Sequence, residues 1–145
     1  MNNMNDLLPY RDTMKVRFSD TDAQGHLYFA NYMVYADEVA GHFMEELGYS
    51  AMNPQEAPAL IFTVNINCDY LDECKCQDIV AVSVGYTHLG NSSAVVSYEL
   101  HNDATGVVLA KGTITQVFVD PQTRKSCSIP AEFRAAILQR QPELN

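Results

Sequence analysis

No stretch of this 145-residue sequence stays apolar for the roughly 20 residues that cross a bilayer. The opening MNNMNDLLPY has neither the basic nor the apolar segment of a secretory signal. No membrane partner is expected, and a cytoplasmic location is. Basic residues are scarce, nine Lys and Arg against 18 Asp and Glu, for a net charge of −9. They form no stripe, which argues against a nucleic-acid partner. Arg124 and Lys125 are the only adjacent basic pair. Cysteine is limited to Cys68, Cys74, Cys76 and Cys127. Without a secretory signal these read as reduced thiols. Cys74 and Cys76 stand too close for the usual C-x2-C metal hook, so no metal site is expected. There is no G-x-S-x-G elbow, no P-loop and no G-x-G-x-x-G. No His and Glu stand at zincin spacing, and no cysteine carries a motif that marks a nucleophile.

What is present fits one domain spanning 1–145, long enough for a real core. Residues 13–18 alternate as a first strand. A turn follows at Asp20 to Gly25. Phe29, Tyr32, Met33, Ala36, Ala40, Phe43, Met44 and Leu47 then recur at spacings of three and four, which predicts a helix over Tyr28 to Leu47, with Gly48 as its stop. Residues 49–58 read as a loop. Four strand-like runs come next: Leu60 to Leu71, Ile79 to His88, Ser93 to His101 and Val107 to Val119. Short polar links point to antiparallel neighbours. Asp120-Pro121 ends the last run, and Pro130 opens a short helix over Ala131 to Gln139. The expected architecture is α+β: one long helix against one face of a curved antiparallel sheet of about five strands, the last four as a meander. Val95-Val96 and Val117-Phe118-Val119 place apolar groups on both sheet faces, so a homo-oligomer, dimer or tetramer, is expected to cover the second.

The stretch FSDTDAQGHLYFANY, Phe18 to Tyr32, carries the chemistry. Asp and Gly suit a tight turn. The helix behind it begins with amides that have no intrahelical partner and bear partial positive charge. Such amides can hold a carbonyl oxygen while a carboxylate works on its carbon. One carboxylate and one anion hole can suffice where the leaving group departs easily.

Taken together, these features resemble the hot-dog fold. More narrowly they resemble the 4-hydroxybenzoyl-CoA thioesterase-like group of acyl-CoA thioesterases, from about Thr13 to Gln139. The most specific part is Asp20-Thr21-Asp22-Ala23-Gln24-Gly25-His26-Leu27-Tyr28-Phe29-Ala30-Asn31-Tyr32. The resemblance implies hydrolysis of an acyl-CoA, aromatic or aliphatic, to free acid and CoA. It places the catalytic carboxylate on Asp22, as nucleophile or general base, and the carbonyl-binding amides at Tyr28 and Phe29. It also implies a dimer or a homotetramer, with CoA at a subunit interface and no cofactor beyond the substrate's own CoA.

Around this centre, Asp20 reads as a turn former, His26 as a histidine that orders the loop, and Asn31 as a residue that bonds the turn and fixes Asp22. Asp37 is left outside the site. Tyr28, Phe29 and Tyr32 read as packing or pocket wall. The His88 to Ser93 turn has no permanent charge. CoA contacts therefore fall to Asn91 and Ser92 there, and to Lys111, Arg124 and Lys125 farther along. That scarcity keeps other readings open: release of an acyl group from an acyl-carrier protein, a hot-dog dehydratase, or a non-catalytic acyl-thioester binder.

Overall fold

The chain turns its one long amphipathic run into a helix and wraps its β-branched runs around it. The computed structural model describes residues 8–50 and 57–144. Strand β1 spans Tyr10–Lys15 and helix α1 spans Phe29–Glu46. Strands β2 (Leu60–Ile66), β3 (Asp69–Tyr70), β4 (Ile79–Leu89), β5 (Ser93–Asn102) and β6 (Val108–Val119) follow, then helix α2 (Ala131–Arg140). The sheet order is β1-β4-β5-β6-β2, with β3 also on β6, and every pairing is antiparallel. Among the described residues, no helix is long and apolar enough to cross a membrane. The expected loop at 49–58 lies largely outside the described residues.

Helix α1 buries Tyr32, Tyr35, Ala36, Val39, Ala40, Phe43 and Met44. They meet the inward residues of the sheet, among them Val82, Val84, Val96, Tyr98, Leu100 and Phe118. Each such side chain taken from water contributes about 1.5–3 kcal/mol before entropy is counted. Phe29, placed on the stripe from its spacing, is instead 57 % exposed. It is the first helical residue, its ring set against Tyr28 and Tyr70, while Tyr35 and Val39 fill the stripe. At the other end Gly48 takes a φ of +91°, where a side chain would be strained, and the helix stops there.

Two expectations change. The first strand runs Tyr10–Lys15, not 13–18, because Phe18–Asp20 forms a single 3₁₀ turn. The Asp20 carboxylate accepts the main-chain N–H of Arg17, which bends the chain and leaves Phe18 in solvent. The four-strand meander is also a three-strand one, β4-β5-β6. The Leu60 to Leu71 run breaks near Asn67 into β2 and β3, which both pair with β6 rather than with β4. The chain must then cross from the β6 side to β4. It does so through residues 71–78, past the start of α1, where the Leu27 N–H donates to the Cys74 carbonyl at 2.8 Å.

The second sheet face is less apolar than the adjacent valines imply. On β5 the outward positions are Ser93, Val95, Ser97, Glu99 and His101, all half-buried. Exposed apolar side chains lie on β2, at Phe62 and Val64, and in a second group around the start of α1, at Tyr28, Phe29, Tyr70 and Leu71.

Candidate active site

The loop between β1 and α1 is built from its own polar groups. Thr21 and Leu27 face each other as a short antiparallel bridge. Inside it, the Asp22 N–H donates to the His26 carbonyl at 3.0 Å and the Gly25 N–H donates to the Asp22 carbonyl at 3.0 Å. Gly25 holds a φ of +86°, the left-handed turn that its lack of a Cβ permits. One carboxylate oxygen of Asp22 accepts the Gln24 N–H at 2.9 Å. The other lies 3.8 Å from Nδ1 of His26. Asp22 is thus held by one oxygen, and its side chain keeps 26 % exposure for a substrate to reach.

Asp20 differs. It is buried, and its carboxylate accepts from Arg17 Nε at 3.1 Å, Arg17 Nη2 at 3.0 Å and the Tyr35 hydroxyl at 2.7 Å. The Arg17 hydrogen bonds hold its pKa below the usual carboxylate value, against the opposing effect of burial. Its carbonyl accepts the Tyr28 N–H at 3.0 Å and the Asn31 side-chain amide at 2.9 Å. Asn31 therefore bonds the turn, through Asp20.

That contact also divides the two helix-start amides. The Tyr28 N–H is occupied. The Phe29 N–H is the first of the helix proper, and among the described residues no acceptor meets it. His26 sits between carboxylates, with Nε2 2.9 Å from Gln24 Oε1 and 3.9 Å from Glu73. Its Nδ1 lies 3.3 Å from the Leu27 carbonyl. The ring is pinned by four neighbours, which suits a loop-ordering residue.

A groove of about 450 Å³ opens beside this amide, lined by His26, Phe29, Tyr32, Tyr70, Asp72 and Glu73 among others. Tyr32 and Tyr70 meet edge to face with centroids 5.2 Å apart. The Tyr70 hydroxyl donates to the Phe29 carbonyl at 2.7 Å and so ties the groove wall to the helix start. Tyr70, Asp72 and Glu73 were not candidates in the sequence. Tyr70 ends β3, and Asp72 and Glu73 follow on the crossing segment, all some forty residues later, and no local pattern marks them. Tyr35 did leave a signal, since it stands one helical turn after Asn31 on the same face. Cys74 is buried beneath the groove. Burial pushes its thiol up to about 11, which removes it as a nucleophile at neutral pH.

The structure divides the five CoA candidates. Lys111 pairs in register with Asp69 and Glu99, at the end of the sheet where α1 begins, with an acid on either side. Asn91 and Ser92 lie in the β4–β5 turn at the other end. Asn91 accepts the Ile129 N–H and the Ser128 hydroxyl, and Ser92 accepts the Phe118 N–H. Arg124 and Lys125 follow the end of β6 nearby, and the Arg124 guanidinium lies 5.7 Å from the centre of the Phe62 ring. Helix α1, 18 residues and about 27 Å long, runs between the Asp22 end and this one. Within one copy they do not meet.

A helix enclosed by a curved antiparallel sheet, with an acid-bearing turn ahead of it, is the arrangement of the hot-dog thioester hydrolases, and the chain is an enzyme of that class. Residues 16–137 match the model of the thioesterase-like superfamily, and the chain belongs to that family. Among its relatives is a 1,4-dihydroxy-2-naphthoyl-CoA hydrolase of Nostoc punctiforme, 30 % identical over 122 residues, covering 81 % of this chain and 79 % of the relative. Another is a putative acyl-CoA thioesterase, YneP, of Bacillus subtilis, 26 % identical over 123 residues and covering 85 % and 86 %. A Staphylococcus aureus protein solved in complex with CoA shares the fold, with a TM-score of 0.85 over 94 % of this chain and 85 % of that one, at 19 % identity.

Proposed function

We propose that this protein hydrolyses acyl-CoA thioesters, with Asp22 as the working carboxylate and the Phe29 amide holding the carbonyl oxygen. The observation that carries the reading is the unoccupied Phe29 N–H at the head of α1, following a loop that fixes Asp22 by one oxygen and leaves its side chain partly exposed. As water or the carboxylate adds to the thioester carbon, charge builds on the oxygen. A donor already in place stabilises it by about 3–4 kcal/mol. If Asp22 attacks, a mixed anhydride forms, the C–S bond breaks and CoA leaves as thiolate; water then cleaves the anhydride. If Asp22 acts as base, it takes a proton from water, whose oxygen bonds the carbon as the thiolate departs. Both routes end in free acid and CoA.

The acyl group is aromatic in this reading. Phe29, Tyr32 and Tyr70 wall the groove with ring faces and edges, and ring pairs favour such offset contacts. The protein works as a homo-oligomer. Strand β2 is paired with β6 on one side only among the described residues, and it exposes Phe62 and Val64. A second copy there brings one copy's Arg124 and Lys125 toward the other's site, which a single chain cannot do. The four unpaired cysteines suit a reducing compartment such as the cytoplasm.

The test is thiol release from a panel of benzoyl-, hydroxybenzoyl-, octanoyl- and palmitoyl-CoA, with wild type and Asp22→Asn. Turnover of the aromatic esters that is lost in the variant supports the reading. Equal rates in both proteins remove Asp22 from the chemistry. Turnover only with acyl groups carried on acyl-carrier protein replaces CoA as the substrate carrier.

A further inference from the structure

The loop that carries Asp22 is tied to the body of the protein at its far end by Leu27, whose N–H donates to the Cys74 carbonyl, and at its near end by Asp20. Two groups grip it. Its carbonyl takes the Tyr28 N–H and the Asn31 amide, which fixes the loop to the first turn of α1. Its carboxylate takes the Tyr35 hydroxyl at 2.7 Å, which fixes the same loop one turn deeper, where Tyr35 is 3 % exposed. Arg17 closes the carboxylate from the solvent side. Tyr35 touches neither the groove nor Asp22, and its ring packs in the core whether or not its hydroxyl is bonded.

We propose that Asp20 and Tyr35 are positioning residues: their hydrogen bond sets the distance between the Asp22 carboxylate and the Phe29 N–H. The inference rests on the thioesterase reading above. Its physical basis is geometric. Carboxylate and amide must act on one carbonyl group, one on carbon and one on oxygen. Six residues, Ala23 to Tyr28, separate them in the chain; Asp20 anchors the loop just ahead of Asp22, and α1 holds the far end. Releasing the anchor lets the carboxylate drift while the amide stays with the helix. A misplacement of an ångström at a reacting centre costs up to about a hundredfold in rate.

Tyr35→Phe removes the bond and keeps the ring. With the acyl-CoA that wild type turns over best, kcat should fall about tenfold while KM stays within about twofold, because Tyr35 does not touch substrate. Asp20→Asn, which keeps an oxygen for Tyr35 but loses the charge that holds Arg17, should fall between wild type and Tyr35→Phe. The decisive comparison is the double variant. On an Asp22→Asn background, Tyr35→Phe should cost nothing further, since it acts through Asp22. An unchanged kcat in folded Tyr35→Phe overturns the proposal. So does an additive loss in the double variant, which would make Tyr35 independent of Asp22. No turnover by wild type on any CoA or carrier-protein thioester is a different failure: it withdraws the functional reading, and the positioning role with it.

Discussion

Asp20 and Asp22 stand two residues apart on the same turn, and their surroundings give them different work. Asp20 is buried and accepts from Arg17 and Tyr35, whereas the Asp22 side chain stays partly exposed, with one oxygen bonded to the Gln24 N–H and the other 3.8 Å from His26 Nδ1. Two outcomes follow at this scale. Asp22→Asn keeps the turn bond from Gln24 and removes the charge, so thiol release should fall by at least about a hundredfold with little change in melting temperature. Parallel kinetics and thermal denaturation check this. Asp20 has a pKa lower in the folded protein than in the unfolded chain, because Arg17 favours its ionised form. Its stabilising contribution is therefore fully present above the unfolded carboxylate pKa and is lost as pH falls through the folded one, below about pH 4. The gap in urea midpoint between wild type and Asp20→Asn should be wide at neutral pH and close as pH falls below the ordinary carboxylate range. A gap that widens instead would contradict the assignment.

At the scale of elements, two close fits hold the sheet in the form the site needs. Where β2 gives way to β3, Asn67 lies against Gly112 of β6. Its side chain bonds the Thr113 N–H and hydroxyl, and its carbonyl accepts the Tyr98 hydroxyl. A Cβ on Gly112 would fall inside the contact radius of the Asn67 carbonyl and 2.6 Å from the Tyr98 hydroxyl. Gly112→Ala should cost about 3 kcal/mol and displace β3, which carries the groove residue Tyr70. Chemical denaturation measures the cost, and KM reports the displaced groove. At the other edge, β1 begins at Tyr10 opposite Val84, and among the described residues no strand pairs with the outer side of Tyr86. Gln141 fills the gap: its side-chain amide exchanges two hydrogen bonds of 2.9 Å with the Tyr86 N–H and carbonyl, as a peptide group would. Gln141→Ala leaves both buried groups unpaired. It should lower stability by about 2–4 kcal/mol with kcat per folded protein unchanged.

For the whole molecule, charge and edges decide. A net charge of −9 and a groove edged by Asp72 and Glu73 oppose the phosphates of CoA. Added salt screens that repulsion, so KM for an acyl-CoA should fall as sodium chloride rises from about 10 mM to about 150 mM. A KM that rises would mean that a local basic group, Lys111 or a second copy's Arg124 and Lys125, dominates the approach. The exposed β2 strand bears on assembly. Sedimentation should give a dimer or larger, and Val64→Lys should shift it toward monomer and weaken CoA binding together. A wild-type monomer with full activity would remove the shared site.

The sequence by itself determined the long helix, the three strands of the meander and the acid-bearing turn. Each is local: apolar spacing of three and four, runs of β-branched residues, and Asp and Gly where a turn needs them. The resemblance of the motif also led to different expectations for Asp22 and Asp20. Tertiary structure decided the rest. The Leu60 to Leu71 run pairs with β6 and not with its next neighbour, because hydrogen-bond partners are chosen by how the chain crosses the helix, not by adjacency. That crossing brings Tyr70, Asp72 and Glu73 to the site. Only folding shows that the Tyr28 amide is spent on Asp20 while the Phe29 amide is left, since that depends on where one carbonyl lies. It likewise takes the folded chain to place Asn91, Ser92, Arg124 and Lys125 a helix-length away from Asp22. Periodicity records which side of an element is buried, and three-dimensional packing alone records which end of one element meets which end of another.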